Sequence, residues 1–152
     1  MEKKISDALS IDEEQEQRVR ALPVPSRPHE KGETSFYEAF LLRGIRVRLV
    51  RPGFLSCTFK VPPRFTDKDG NLSPGAIANL VDEVGFSAIH SDGHPWKVST
   101  DISISYMATA KLHDELEITS KVLGHKGGYS GTVVLLKNKL ALWVAFSKID
   151  EI

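Results

Sequence analysis

The hydrophobic pattern of this chain changes its period twice. In four runs, residues 45–50, 55–61, 98–105 and 115–122, apolar and polar residues alternate, which is the pattern of a strand with one buried face. Residues 129–136 and 140–146 are predicted to form two further strands. Pro52-Gly53 and Lys137-Asn138-Lys139 predict turns between neighbouring runs. The last four strands leave no room for crossover connections, so we expect antiparallel pairing among them.

One long helix is predicted between the second and third strands. Ser73 is a favourable N-cap, Pro74 suits the first helical position, and apolar residues recur at helical spacing as far as His90. A helix that is apolar around most of its girth is expected to be buried. An antiparallel sheet wrapped around this helix is the economical architecture, and the predicted fold class is α+β.

A carboxylate interrupts this apolar helix at Asp82. The residues three and four positions away are Ala78, Asn79, Gly85 and Phe86. Burying a carboxylate is costly unless it is paired or has chemical work to do, so Asp82 is a candidate catalytic residue. A solvated Asp on the rim of the helix, with Glu83 beside it, is an equally good interpretation of the pattern alone.

The first 33 residues differ from the rest in composition. Ser10 to Glu13 predicts a capping box that opens a short charged helix ending near Leu22. Prolines follow at positions 23, 25 and 28, which is typical of a linker. We therefore expect a peripheral or mobile polar leader over residues 1–33 and one domain over residues 34–152.

Composition narrows the functional setting. The chain has 152 residues, is 41% hydrophobic and carries a formal net charge of zero, so charge gives no argument for a nucleic-acid partner or a membrane surface. A single cysteine excludes an internal disulfide, and no apolar run is long enough to span a bilayer. The N-terminus lacks the apolar core of a signal peptide. A cytoplasmic location is expected, with an organelle as the alternative.

Two segments give a specific resemblance. Thr66–Asp82, which ends in Leu-Val-Asp, and Val98–Lys111, which contains Ser-x-Asp-x-x-x-x-Tyr-Met, resemble the hotdog-fold acyl-CoA thioesterase family, near the group of thioesterase superfamily member 2 and acyl-CoA thioesterase 13. The resemblance covers roughly residues 34–149. It implies a hotdog fold, in which about six strands wrap one helix. It also implies homodimers or dimers of dimers with active sites at the dimer interface, an acyl-CoA substrate, and no separate cofactor.

The resemblance also implies roles for individual residues. Asp82 matches the carboxylate that activates water or attacks the thioester, and Ser99 matches a serine that positions that water. Without the resemblance, Ser99 is interpreted as a polar residue on an outward strand face. The residues implied to line the coenzyme A site are Tyr106, Met107, Ala108, Thr109, Ala110, Lys111, Gly124, His125, Lys126, Gly127, Gly128 and Tyr129. An ordinary hairpin loop is the alternative for residues 124–129, where His125 and Lys126 otherwise offer charge to phosphates.

The chain departs from the family at the start of the helix. Ser73-Pro74-Gly75 stands where the family carries His-Gly-Gly, and it resembles a variant of plant relatives. Pro74 has no backbone N–H to offer an oxyanion, so the Gly75 N–H and the Ser73 hydroxyl are the expected substitute donors. Asp67 stands where the family often has Asn. If Asp67 approaches Asp82 across an interface, one of the two carboxylates will take up a proton more readily.

Three functions are compatible with these residues. Hydrolysis of an acyl-CoA thioester to a free acid and coenzyme A is favoured by Asp82 and Ser99. A non-catalytic module that binds acyl-CoA or acyl-lipid, or a structural partner of a catalytic paralogue, is favoured by Pro74 and Asp67. The five histidines show no metal-ligand spacing with cysteines or carboxylates, so no metal site is expected. Acyl length is not predicted, because the tunnel would lie between subunits.

Overall fold

A computed structural model describes residues 5–6, 10–23, 35–95, 98–138 and 143–152. The α-helices that are bounded within these ranges are α1 (Glu13–Arg20), α2 (Phe36–Leu42) and α3 (Pro74–Ser91), and a short 3₁₀ helix spans Pro63–Phe65. The strands are β1 (Ile45–Arg51), β2 (Phe54–Lys60), β3 (Ser99–Tyr106), β4 (Glu115–Lys126), β5 (Tyr129–Asn138) and β6 (Trp143–Glu151). None of the helices in the described ranges is long and apolar enough to cross a membrane.

The six strands form one antiparallel sheet in the order β1-β2-β4-β5-β6-β3. Helix α3 packs against this sheet, which confirms the predicted α+β fold class and the single central helix. The predicted last strand, residues 140–146, ends too early, because β6 extends to Glu151. β5 continues to Asn138 and β6 begins at Trp143, so the predicted turn at Lys137 is wrong, while Lys139 and Leu140 lie outside the described residues.

Helix α3 begins and packs as its sequence predicts. The Ser73 hydroxyl accepts a hydrogen bond from the Ala76 amide at 3.2 Å, and Pro74 occupies the first turn. The buried residues of the helix are Ala76, Ile77, Leu80, Val81, Val84, Gly85, Ala88 and Ile89. A Cβ atom on Gly85 would lie 2.5 Å from Ile149 Cδ1 and 3.3 Å from Thr132 Oγ1, so the glycine allows the helix to approach the sheet closely.

Strand β2 buries one face, but its neighbour β1 does not. Leu55, Cys57 and Phe59 are buried, and burial raises the pKa of the Cys57 thiol to about 11, which keeps it protonated and unreactive. On the predicted buried face of β1, Val47 is 59% exposed and Leu49 is 39% exposed. The prediction of a buried face on β1 is therefore wrong for the part of the chain that the structure describes, where β1 is an edge strand that pairs only with β2.

The chain divides into two compact units, Met1–Ala39 and Phe40–Ile152. In the first unit, the capping box of α1 uses Asp12 and Gln15. The predicted box that began at Ser10 is wrong, because Asp12 is two residues closer to the helix and its carboxylate accepts the Gln15 amide at 2.7 Å. The polar leader over 1–33 and the domain over 34–152 stay a prediction, and Pro25 and Pro28 lie outside the described residues.

Candidate active site

A charge-assisted hydrogen bond joins the two residues that the sequence singled out for catalysis. The Ser99 hydroxyl donates to Asp82 Oδ1 at 2.5 Å. Both side chains are half-buried, so the carboxylate is neither sealed in the core nor freely solvated. A carboxylate held in this way keeps an oxygen available for a proton from water while the serine fixes its orientation.

Ser99 reaches Asp82 because of an irregularity in β3. Ser99 pairs with Glu151 and Asp101 pairs with Asp150, so one extra residue, Thr100, is inserted between them. At the other end of the strand the Tyr106 hydroxyl lies 3.4 Å from the Pro74 carbonyl of α3, the helix that also carries Asp82. Residues 99 and 106 are an odd number of positions apart, so strict alternation would place their side chains on opposite faces of the strand. The inserted residue reverses the alternation, and both side chains therefore face the helix. The outward placement of Ser99, expected without the family resemblance, is wrong.

The start of α3 offers one unpaired backbone amide. The Ala76 amide is bound by Ser73 Oγ and the Ile77 amide by the Ser73 carbonyl, and Pro74 has no N–H. Among the described residues, the Gly75 N–H has no hydrogen-bond acceptor, and Gly75 is exposed. A helix N-terminus with a free amide favours negative charge, so Gly75 is suited to hold an oxyanion.

The loop before α3 is held in place by hydrogen bonds from both sides. Asp67 accepts hydrogen bonds from the backbone and side-chain amides of Asn71 and from the Asp69 amide, and these bonds lower its pKa. The Lys111 ammonium donates to the Asn71 side chain, and the Leu72 amide donates to the Ala110 carbonyl at 2.8 Å. Asp67 is exposed and orders its own loop, while its predicted catalytic role stays a prediction.

The predicted coenzyme A residues fall into two groups. Tyr106 to Thr109 and Lys111 are exposed beside the start of α3, whereas Ala110 is fully buried and presents only its backbone. Gly124 to Tyr129 form the exposed tip of the β4–β5 hairpin, where Gly127 has φ +61 and permits the tight turn. Their role in binding coenzyme A stays a prediction.

The sequence missed a cluster around His125. Its Nε2 lies 2.9 Å from Asp92 Oδ2, its Nδ1 lies 2.7 Å from Ser130 Oγ, and its ring stacks on that of His94 at 3.8 Å. No metal-ligand spacing in the sequence indicated this cluster, because the fold joins positions more than 30 residues apart. The expected absence of a metal site stays a prediction. Ser130 is 1% exposed, so this arrangement cannot serve as a Ser-His-Asp nucleophile.

The candidate oxyanion donor and the candidate catalytic carboxylate lie far apart on one chain. Gly75 and Asp82 are seven positions apart on α3, which at ~1.5 Å per residue separates them by about 10 Å along the axis. An oxyanion donor and a group that activates water must both lie within ~3 Å of the same reacting group. One chain therefore carries both halves of a site without bringing them together.

Comparison with known proteins finds thioesterases among the proteins that this chain resembles. Residues 69–134 match the Thioesterase superfamily. Acyl-coenzyme A thioesterase 13 of Homo sapiens is 38% identical over 90 residues, which make up 58% of this chain. The match spans 64% of the length of that relative. Residues 69–134 contain the end of the loop before α3, the helix itself, β3, β4 and the first part of β5.

Solved structures extend the likeness to most of the fold. The crystal structure of zebra fish thioesterase superfamily member 2 superposes with a TM-score of 0.72 and 29% identity, over 79% of this chain and 87% of that chain. A hypothetical thioesterase from Streptococcus pneumoniae, solved with coenzyme A, gives a TM-score of 0.69 at 22% identity, over 71% of this chain and 84% of that one. The fold is the hotdog fold.

Proposed function

We propose that this chain is a member of the Thioesterase superfamily that hydrolyses acyl-CoA thioesters to a free carboxylic acid and coenzyme A. The observation that carries the proposal is the Ser99–Asp82 hydrogen bond on the half-open side of α3. The similarity to acyl-coenzyme A thioesterase 13 supports the choice of a thioester substrate.

A second copy of the chain completes the site. Because Gly75 and Asp82 are about 10 Å apart along one helix, a two-fold partner with its α3 antiparallel would place Gly75 of one copy beside Asp82 of the other. The edge strand β3 and its flanks expose Val98 (71%), Ile102 (38%) and Met107 (60%), and among the described strands β3 pairs only with β6. An apolar, unpaired edge of this kind suits pairing with a second sheet.

Hydrolysis then proceeds with ordinary acid–base chemistry. Asp82 takes a proton from a water molecule as the water oxygen attacks the thioester carbonyl carbon. The carbonyl oxygen becomes negative and accepts a hydrogen bond from the Gly75 N–H at the helix N-terminus. When the carbonyl re-forms, the carbon–sulfur bond breaks and the coenzyme A thiolate leaves and takes up a proton. Direct attack by the Asp82 carboxylate on the carbonyl carbon gives the same products by way of an anhydride that water opens.

Exposed cations suit the coenzyme A half of the substrate. Lys111 lies beside the start of α3, and Lys126 lies at the tip of the β4–β5 hairpin, where both are exposed. Ammonium groups at such positions would pair with phosphates. His125 contributes less to phosphate binding than the sequence suggested, because Asp92 and Ser130 already hold both of its ring nitrogens.

One assay of the purified chain tests this function. Thiol release from short-, medium- and long-chain acyl-CoAs is followed with a thiol-reactive dye, beside light scattering of the same sample. We expect saturable thiol release and a dimer or a larger even assembly at micromolar concentration. A monomer that releases no thiol would contradict both the proposed function and the proposed site shared between two chains.

A binding module without catalysis is the second candidate, and Pro74 favours it. Loss of one oxyanion donor typically costs ~10²–10³ in turnover. If Pro74 limits the rate, Pro74→Gly and Pro74→Ala should both raise turnover about tenfold or more, because both restore the backbone N–H. Only glycine also makes the backbone more flexible, so an equal gain in the two variants assigns the effect to the N–H. If the natural protein and both variants are inert while acyl-CoA still binds, the binding module replaces the enzyme.

A further inference from the structure

We propose that Asp92, His94 and His125 form a binding site for a divalent transition-metal ion of the zinc class. Each residue offers one ligand atom, and the three atoms lie within 4.8 Å of one another. Two imidazoles and one carboxylate are a donor set that Zn²⁺ accepts, and the borderline softness of nitrogen ligands favours zinc over magnesium or calcium.

The distances are close to those of a bound site. Two ligands on a tetrahedral zinc, each bonded at ~2.0–2.1 Å, lie about 3.3 Å apart. His125 Nε2 and Asp92 Oδ2 are 2.9 Å apart, so this pair needs to open by a few tenths of an ångström. The rings of His94 and His125 stack with centroids 3.8 Å apart and planes 29° apart. The His94 ring must turn about its own torsions to direct a nitrogen at the ion.

The ligand best fixed in place is His125. Its Nδ1 lies 2.7 Å from the hydroxyl of Ser130, which is 1% exposed, and this contact orients the ring so that Nε2 faces Asp92. Metal-ligating histidines commonly hold their second nitrogen in this way. The other two ligands follow α3 directly, and the His94 carbonyl lies 3.2 Å from His90 Nδ1, which orders the segment that carries them.

Charge at the end of the helix favours a cation. Asp92 is the C-cap of α3, where the helix dipole presents its negative end. A carboxylate there is unfavourable by itself and gains from a positive partner. The β1–β2 turn packs behind it, since a Cβ atom on Gly53 would lie 3.5 Å from Asp92 Cγ. The side chains of His125 and Asp92 are 25% and 30% exposed, which leaves access for an ion and a water ligand.

The ion would join two distant parts of the sequence. Asp92 and His94 follow the central helix, and His125 belongs to the end of β4 next to the hairpin tip. Metal binding would therefore clamp the hairpin to the end of α3. This role does not depend on thioesterase activity, and its test needs no turnover measurement.

The test is metal binding by the full chain after treatment with a chelator and removal of that chelator. Zn²⁺ is titrated by calorimetry, and Co²⁺ is added separately because tetrahedral Co²⁺ absorbs visible light strongly. The variants are Asp92→Asn, His94→Gln and His125→Gln. His113→Asn is the matched control, since His113 lies outside the cluster and its φ of +70 is well tolerated by asparagine.

We expect one Zn²⁺ per chain with micromolar affinity, a rise in melting temperature with Zn²⁺, and at least a tenfold weaker affinity in each of the three variants. His113→Asn should bind like the natural protein. Circular dichroism without metal shows that each variant is folded. Failure to bind Zn²⁺ below about 100 µM, or binding that the three variants leave unchanged, would show a hydrogen-bonded cluster only and would overturn the proposal.

Discussion

The two sides of helix α3 have the same secondary structure but different environments. The side against the sheet carries Leu80, Val81 and Ala88, each at most 1% exposed. The other side carries Asp82 and Phe86, which are half-buried, and Gly75, which is exposed. The first side is fully buried within one chain, because the sheet covers it. The second side holds a carboxylate and a free amide that one chain cannot bring together.

Under the proposed function, this difference separates the residues that stabilise the fold from those that act in catalysis along a single helix. Substitutions on the sheet side should change the free energy of unfolding, and substitutions on the open side should change turnover while the fold survives. Variants on each side of the helix can contradict that separation.

Asp82→Asn has the largest expected effect. The amide keeps the size of the side chain but cannot accept a proton from water, so turnover should fall by at least ~10²-fold. The melting temperature should stay within a few degrees, because the side chain is half-buried at the open side. Turnover is measured by thiol release, with Glu83→Gln, one position along the helix, as the matched control. Equal turnover in Asp82→Asn and the natural protein would rule out Asp82.

Gly85→Ala tests the opposite side of the helix. Its new methyl group would meet Ile149 at 2.5 Å, and overpacking of this kind typically costs ~1–3 kcal/mol. The free energy of unfolding from urea denaturation is the measurement. In Gly75→Ala the new Cβ has no neighbour within 4 Å, so this variant is the control for the added methyl group. Equal stability of the two variants would mean that the close approach of helix and sheet is not as described.

Ser99→Ala has a smaller expected effect on turnover. Removing the hydroxyl frees Asp82 from its 2.5 Å hydrogen bond, and we expect about a tenfold loss, which equals ~1.4 kcal/mol in the barrier. Ser99→Thr keeps a hydroxyl and should recover most of the rate, whereas Ser103→Ala on the same strand should change little. A loss in Ser103→Ala as large as that in Ser99→Ala would point to the strand, not to the hydroxyl.

The sequence predicted the parts of the fold that depend on local pattern. Period-two runs and the Ser73-Pro74 start were sufficient for most strands and for α3, because one buried face imposes the period. The bulge at Thr100 escaped prediction, since the alternating pattern of the sequence continues through it without a break. The contact of His125 with Asp92 is set by tertiary structure, and no spacing in the sequence indicates it.

The exposure of β1 also escaped prediction, for a different reason. Alternation reports that a strand has an apolar side, but not whether the same chain covers that side. Val47 and Leu49 alternate with arginines as residues of a buried strand would, yet they are exposed and lie at the edge of the sheet. The same reasoning applies to β3, where the exposed apolar residues mark the expected contact with a second copy.

Complementation between two inactive variants tests the central claim most directly. Asp82→Asn removes the carboxylate, and Gly75→Pro removes the amide that would hold the oxyanion. If each site takes Asp82 from one copy and Gly75 from another, half of the randomly mixed dimers regain one intact site of two. Co-expression should then restore about a quarter of the natural activity. A co-expressed mixture that forms mixed dimers but is as inactive as either variant alone would contradict a site shared between two chains.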